Sequence, residues 1–217
     1  MLNWQSIDTV MLDMDGTLLD LHYDNYFWQE YVPACYAEQR HLMIDTAKQQ
    51  LFPKFKAMEG TMEWYCVDYW STELQLDIAQ LKHQIRHLIA IHPDVKPFLQ
   101  SVRKSGRQAW LVTNAHHKSL NLKMQQTGLR RYFDHMVCAH DFGLPKEKPQ
   151  FWKKLSQRTP FEKTRCLFID DSIPVLKSAQ QYGIAQCLAI HKPDSKCPPK
   201  DTHRFPALKN FRQIMPE

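Results

Sequence analysis

The sequence predicts an α/β fold in which helices cover a parallel sheet, with a helical segment inserted after the first strand. Three observations carry this prediction. Five short runs are almost continuously apolar, as strands are when a parallel sheet is buried on both faces. Helical patterns separate the last four of these runs. A long interval without any strand pattern separates the first two.

The five predicted strands are short and rich in β-branched and apolar residues. They are TVMLDMD (9–15), QAWLVTN (108–114), HMVCA (135–139), CLFIDD (166–171) and AQCLAI (185–190). Parallel strands joined through helices use right-handed crossovers. Because the strands run in the same direction, all their carboxyl ends lie at one edge of the sheet.

Helical patterns lie before the second strand and after the second and fourth strands. VKPFLQSVRKSG runs to Gly106, KSLNLKMQQTGL contains Gly128, and IPVLKSAQQYGI contains Gly183. A glycine at these positions predicts the carboxyl end of each helix.

The interval after the first strand predicts a helical cap. The stretches IDTAKQQLFPKFKAMEG and DYWSTELQLDIAQLKHQIRHLIAI have helical patterns. We therefore expect residues 21–92 to form the cap, and residues 1–20 and 93–217 to form the catalytic core. The proline-rich closing segment is expected to be irregular, and its predicted apolar anchors are Phe205, Leu208, Phe211 and Ile214.

Composition excludes several classes of protein. The net charge of +5 is mild and no dense Lys/Arg tract occurs, so a nucleic-acid partner is not expected. No apolar run has the length of a membrane span, and the amino terminus does not resemble a secretory signal. The six scattered cysteines include no CxxC pair, which predicts free thiols in a cytoplasmic protein rather than a zinc or redox motif.

The chemistry-bearing residues follow the predicted strands. In parallel α/β sheets, ligands bind at the carboxyl ends of the strands. The residues expected at that edge are Asp13, Asp15, Thr113, Asn114, Lys146, Asp170 and Asp171.

Four carboxylates in one crevice repel one another unless a cation lies among them. Oxygen ligands without a neighbouring His or Cys favour Mg²⁺, which commonly shares its coordination with phosphate oxygens. A lysine and a hydroxyl beside such a metal suit a phosphate group, because both donate hydrogen bonds to anionic oxygens. This set of residues therefore predicts phosphoryl transfer.

The two acids of DMDGT can divide the reaction between them. Asp13 can attack phosphorus and form an aspartyl-phosphate. Asp15 can protonate the leaving oxygen and later deprotonate the attacking water. Gly16 permits the sharp turn that would let both carboxylates flank one phosphorus atom.

Four stretches in this order resemble the motifs of the haloacid dehalogenase (HAD) superfamily in its phosphatase branch. They are DMDGT, the apolar strand ending in Thr113, a lysine in a loop, and FIDDS. The resemblance implies a Rossmann-like core, Mg²⁺ and an aspartyl-phosphate intermediate. It also implies that Asp13 is the nucleophile, that the backbone carbonyl of Asp15 reaches Mg²⁺, that Asp171 is a direct ligand, and that Asp170 acts through water. The dehalogenases themselves lack the second acid that Asp15 supplies.

Two lysines compete for the third motif. The family pattern often places a proline three residues and an aromatic six residues after the lysine, and Pro149 and Trp152 give Lys146 that spacing. Lys148, which precedes Pro149 directly, is the alternative.

The cap phrases DNYFWQEYVP and WYCVDYWSTELQLDI resemble a narrower group, the bacterial HAD 5′-nucleotidases that prefer GMP and IMP. This resemblance implies hydrolysis of a purine nucleotide. The candidate base or ribose contacts are Asp24, Asn25, Trp64, Tyr65 and Asp68. The alternative for the aromatic residues is helical core, given the spacing of Trp64, Val67, Trp70 and Leu74. His116 and His117 are expected at the surface or behind the site, and the alternative is that one of them lines the pocket entrance.

The same residues are compatible with other functions. A HAD phosphatase for a small sugar phosphate or phosphoglycolate uses the same chemistry, as does a phosphomutase. A non-catalytic phosphoryl-ligand binding protein is disfavoured by the complete set of acidic, hydroxyl and lysine side chains. The oligomeric state is not predicted.

Overall fold

The computed structural model describes residues 2–216. Its strands are β1 (Thr9–Leu12), β2 (Gln108–Thr113), β3 (His135–Cys138), β4 (Cys166–Asp170), β5 (Gln186–Ile190) and β6 (Ala207–Leu208). They form one parallel sheet in the order β3-β2-β1-β4-β5-β6. The predicted α/β fold is confirmed.

Strand β1 lies at the centre of this order. Its last residue, Leu12, is paired with Leu111 of β2 on one side and with Ile169 of β4 on the other. The chain therefore leaves β1 at the point where the strand order reverses, which is where open α/β sheets leave a crevice for ligands.

Ten α-helices are described. The inserted segment contains α1 (His22–Tyr26), α2 (Val32–Arg40), α3 (Ile44–Met58), α4 (Met62–Tyr65), α5 (Val67–Leu74) and α6 (Ile78–Gln84), and the rest of the chain contains α7 (Val95–Lys104), α8 (His117–Thr127), α9 (Pro149–Arg158) and α10 (Ile173–Tyr182). Gly128 and Gly183 cap α8 and α10 in the left-handed conformation, as predicted, whereas Ser105 rather than Gly106 caps α7. Between residues 2 and 216, no helix is both long and apolar enough to cross a membrane.

The apolar side chains form three clusters. Val10, Leu12 and Leu111 belong to the cluster on one face of the sheet, and Met11 and Trp110 belong to the cluster on the other. The third cluster consists of residues of the inserted segment, from Tyr23 to Ile85. The inserted segment thus has its own core, although the domain bounds at residues 21 and 92 stay a prediction.

The closing segment is more regular than expected. Ala207 and Leu208 pair with Ala189 and Ile190 as a sixth parallel strand, where the sequence predicted only irregular structure. Two residues flanked by Pro206 and polar residues are too few to show a strand period, which explains the error. The four predicted apolar anchors are all buried, at Phe205, Leu208, Phe211 and Ile214.

Candidate active site

A cavity of about 710 Å³ opens at the carboxyl ends of the central strands. The core-motif residues that line it are Asp13, Asp15, Thr113, Asn114, Lys146, Asp170 and Asp171. The structure therefore brings all seven predicted residues to one space, although they come from four separate parts of the chain. Lys148, the alternative lysine, is exposed and does not line the cavity.

Lys146 lies between two of the carboxylates. Its Nζ donates to Asp13 Oδ1 at 2.5 Å, to Asp170 Oδ2 at 2.7 Å and to the Val112 carbonyl at 2.9 Å. Burial lowers the pKa of Lys146, but Asp13 and Asp170 outweigh it and raise that pKa above its usual value. All three ammonium hydrogens thus have protein acceptors, so the lysine holds the two carboxylates together.

Asp13, Asp170 and Asp171 form the carboxylate cluster. One oxygen from each side chain lies within 4.8 Å of the others. Burial raises the pKa of Asp13 to about 7, and the pKa values of Asp170 and Asp171 to about 6. Two lysines pair with these three carboxylates, Lys146 with Asp13 and Asp170 and Lys200 with Asp171 at 3.6 Å, so one negative charge has no cationic partner when all three are ionised.

The donor chemistry of this cluster fits Mg²⁺. All three groups offer carboxylate oxygens, the ligands that hard divalent cations prefer. The position of Gly16 fits as well, because a Cβ atom there would lie 2.8 Å from Asp171 Cγ and displace that carboxylate. Glycine at this turn therefore leaves the space that Asp171 occupies.

The side chain of Asp15 does not belong to this cluster. Its Oδ1 lies 2.6 Å from Lys123 Nζ, an ion pair that lacks the angle of a hydrogen bond. Burial raises the pKa of Asp15 to about 6, while Lys123 lowers it. Asp15 is thus held by Lys123 of α8.

Lys123 connects Asp15 to the inserted segment. It also donates to Asp24 Oδ2 at 2.6 Å, and Lys82 donates to Asp24 Oδ1 at 2.9 Å. Against the effect of burial, Lys123 and Lys82 lower the pKa of Asp24 to about 2. Two acids and two lysines thus form a buried charge network in the cavity wall, which Asp15, Asp24 and Lys82 line.

The sequence interpretation missed both lysines of this network, although a signal existed. Lys123 lies three residues after Leu120 and one before Met124, on the buried face of α8. Lys82 lies four residues after Ile78, on the buried face of α6. A lysine on the apolar face of a helix needs a buried acidic partner.

Two residues at the carboxyl end of β2 are placed beside the loop that contains Lys146. The Asn114 amide accepts from the backbone N–H of Lys146 at 2.9 Å and donates to Glu147 at 2.9 Å. The Thr113 hydroxyl accepts from the backbone N–H of Ala115 at 3.0 Å, and its own hydrogen remains to donate into the cavity. Their phosphate contacts stay a prediction.

Four of the five candidate substrate contacts line the cavity: Asp24, Asn25, Trp64 and Tyr65. Asp24 is engaged by the two lysines, and Asn25 donates to Asp194 at 2.7 Å. The Tyr65 hydroxyl donates to Glu147 at 2.5 Å.

Asp68 is the exception among these candidates. It does not line the cavity, and its exposed carboxylate pairs with Lys118 at 2.5 Å.

The aromatic residues of the inserted segment are divided between its core and the wall of the cavity. Val67, Trp70 and Leu74 are buried in its core, as the helical spacing predicts. Trp64 is only partly buried and lines the cavity, together with Trp28 and Phe55. The cavity thus has an acidic floor from the sheet and an aromatic wall from the inserted helices.

The two histidines after β2 have different environments. His117 is half exposed and lies 2.8 Å from Asp141, as expected for a surface residue. His116 has a side chain that is only 13% exposed and lines the cavity, which is the alternative that the sequence left open for one of the two histidines. The turn that caps the start of α8 directs its ring inward.

Comparisons with known proteins agree with this architecture. The family model for the haloacid dehalogenase-like hydrolases matches residues 7–183. The GMP/IMP nucleotidase YrfG of Escherichia coli K12 is 40% identical over 98% of this chain and 96% of that protein. A phosphoglycolate phosphatase of Vibrio parahaemolyticus is 25% identical over 83% of this chain and 82% of that protein.

A solved structure shows the same fold. The HAD phosphatase from Thermococcus onnurineus superposes with a TM-score of 0.80 at 19% identity and covers 96% of both chains. The fold and the site define an α/β enzyme whose candidate active site lies at the carboxyl end of the first strand. The chain belongs to the haloacid dehalogenase-like hydrolases. The predicted superfamily and the predicted resemblance to the GMP/IMP nucleotidases are confirmed.

Proposed function

We propose that the protein is a Mg²⁺-dependent phosphomonoesterase that hydrolyses the purine nucleotides GMP and IMP to nucleoside and phosphate. The observation that carries the proposal is that buried carboxylates and an aromatic wall face each other in the same cavity. The carboxylates suit a metal and a phosphate, and flat aromatic side chains suit a base. The 40% identity to a GMP/IMP nucleotidase supports this choice of substrate.

Asp13, Asp170 and Asp171 would hold the ion, together with the backbone carbonyl of Asp15. When bound, Mg²⁺ supplies positive charge that offsets these carboxylates and the oxygens of the phosphate.

Asp13 attacks phosphorus in the first step. Lys146 fixes Asp13 Oδ1 in place and favours its ionised form, which is the nucleophilic one. The attack forms an aspartyl-phosphate and breaks the bond between phosphorus and the 5′-oxygen of the nucleoside. Thr113 donates its hydroxyl hydrogen to a phosphate oxygen.

Asp15 protonates the departing 5′-oxygen and then takes a proton from the water that attacks phosphorus. That attack breaks the bond between phosphorus and the Asp13 oxygen, which frees phosphate and restores the Asp13 carboxylate. A raised pKa favours the protonated form that the first of these steps requires. Lys123 holds the carboxyl while it changes its charge.

Phosphate release across a panel of phosphomonoesters tests the proposal. With Mg²⁺ present, we expect GMP and IMP to be hydrolysed with a higher kcat/KM than sugar phosphates or phosphoglycolate. Asp13→Asn is the matched control, and it should lose activity by about a thousandfold or more while the protein stays folded. Turnover of sugar phosphates with GMP and IMP inert would contradict the proposed substrate. The 25% identity to a phosphoglycolate phosphatase makes phosphoglycolate the alternative to include.

A further inference from the structure

A second group of metal-ligating side chains lies beside the active site. Cys66, His116 and His140 each place one ligand atom within 4.8 Å of the others, and all three side chains are partly buried. None of them belongs to the carboxylate cluster. They come from three segments: Cys66 from the turn before α5, His116 from the start of α8, and His140 from the turn after β3.

The imidazole rings of His116 and His140 are in edge-to-face contact and share no hydrogen bond. Their centroids are 4.9 Å apart and the rings are nearly perpendicular. Among residues 2–216, His140 Nε2 is buried and has no hydrogen-bond partner. A buried ring nitrogen without a hydrogen-bond partner is costly, and a lone pair on it can bind a cation instead.

The remaining contacts of His116 are compatible with metal binding. Its Nδ1 accepts only a long bond from the backbone N–H of Lys118, at 3.3 Å. Its Nε2 lies 3.7 Å from Asp68 Oδ2. An ion bound through Nδ1 would replace the long bond and leave Nε2–H directed to a carboxylate, a common arrangement around metal-bound histidines.

We infer that Cys66, His116 and His140 form a binding site for a borderline-soft transition-metal ion, with Zn²⁺ as the expected occupant. One thiolate and two imidazoles are ligands that prefer Zn²⁺ to Mg²⁺. Asp68 positions the His116 ring, and the fourth coordination position is open to water. The absence of a CxxC pair hid this site, because its ligands are far apart in sequence.

The position of the site gives the ion a mechanical effect. Cys66 belongs to the inserted segment, whereas His116 and His140 belong to the rest of the chain. A bound ion therefore ties the inserted helices to the sheet at the cavity wall that His116 lines. Caps over active sites commonly open for substrate entry and product release, so we expect Zn²⁺ at this site to slow turnover.

Metal titration of the full-length protein tests the inference. Mg²⁺ is kept in excess to occupy the carboxylates, and Zn²⁺ is titrated in competition with a chromophoric chelator. We expect one tightly bound Zn²⁺ per chain, and an affinity at least about a hundredfold lower in Cys66→Ser and in His140→Gln. Cys197→Ser changes an exposed cysteine outside the group and should leave the affinity unchanged.

Co²⁺ provides a spectroscopic readout that does not depend on activity. It should give a thiolate charge-transfer absorption in the native protein and in Cys197→Ser, but not in Cys66→Ser. Equal Zn²⁺ affinity in native protein and Cys66→Ser would overturn the site. Equal inhibition of phosphate release by Zn²⁺ in both proteins would overturn its effect on turnover.

Discussion

At the scale of single residues, the sequence was informative where side chains follow strands. Asp13, Thr113 and Asp170 were predicted from strand ends alone, and all three line one cavity. Lys123 was not predicted, because its partners Asp15 and Asp24 are about a hundred residues away in sequence. Pairing between distant segments leaves no spacing pattern in the sequence. The only sequence signal for Lys123 was therefore its position on the apolar face of a helix.

Lys123→Gln tests the buried charge network. The substitution leaves Asp15 without a cation, and Asp24 with Lys82 alone. Breaking a buried pair costs about 3–5 kcal/mol in free energy of unfolding, and we expect the low end because Lys82 remains. Denaturant unfolding measures this loss.

The same variant should also change the pH profile. Asp15 must be protonated to donate to the leaving oxygen, so the rate falls as pH rises through its pKa. Lys123 lowers that pKa. Removal of its charge therefore raises the pKa of Asp15 and moves the descending limb of kcat to higher pH. Lys118→Gln, an exposed lysine of the same helix, is the control and should leave both the profile and the stability unchanged. An unchanged descending limb of the kcat profile in Lys123→Gln would contradict the effect of Lys123 on the pKa of Asp15.

At the scale of elements, the sequence predicted the existence of strands better than their ends. The first run was predicted to extend to residue 15, but β1 ends at Leu12. The chain turns there so that Gly16 adopts a φ of 83° and its N–H binds the Leu19 carbonyl. The apolar pattern continues through Met14, which is buried beneath the turn rather than in a strand.

Gly16→Ala tests how this turn shapes the carboxylate cluster. The new Cβ would lie 2.8 Å from Asp171 Cγ, and the positive φ adds strain of about 1 kcal/mol. Displacement of a metal ligand by about 1 Å should lower activity by about a hundredfold and weaken Mg²⁺ binding. Gly60→Ala is a matched control, because Gly60 has a φ of 81° and open space around it. It should lose stability but keep its activity and Mg²⁺ affinity, and equal loss of activity in both variants would refute the steric account.

At the scale of the whole molecule, polar contacts join the inserted segment to the sheet domain around the cavity. The Tyr65 hydroxyl donates to Glu147, Asn25 donates to Asp194, and Lys123 donates to Asp24. These contacts place the aromatic wall over the acidic floor. The sequence predicted that helices follow the first strand, but not which residues they bring to the sheet, since those contacts depend on tertiary packing.

The central claim is that Asp13 carries the phosphoryl group during turnover. Acid quenching of the Mg²⁺-loaded enzyme within milliseconds of mixing with ³²P-labelled GMP tests it most directly. We expect labelled protein, with the label on the peptide that contains Asp13, and no label in Asp13→Asn. Unlabelled native protein during steady turnover, or a label on any other residue, would contradict the covalent mechanism.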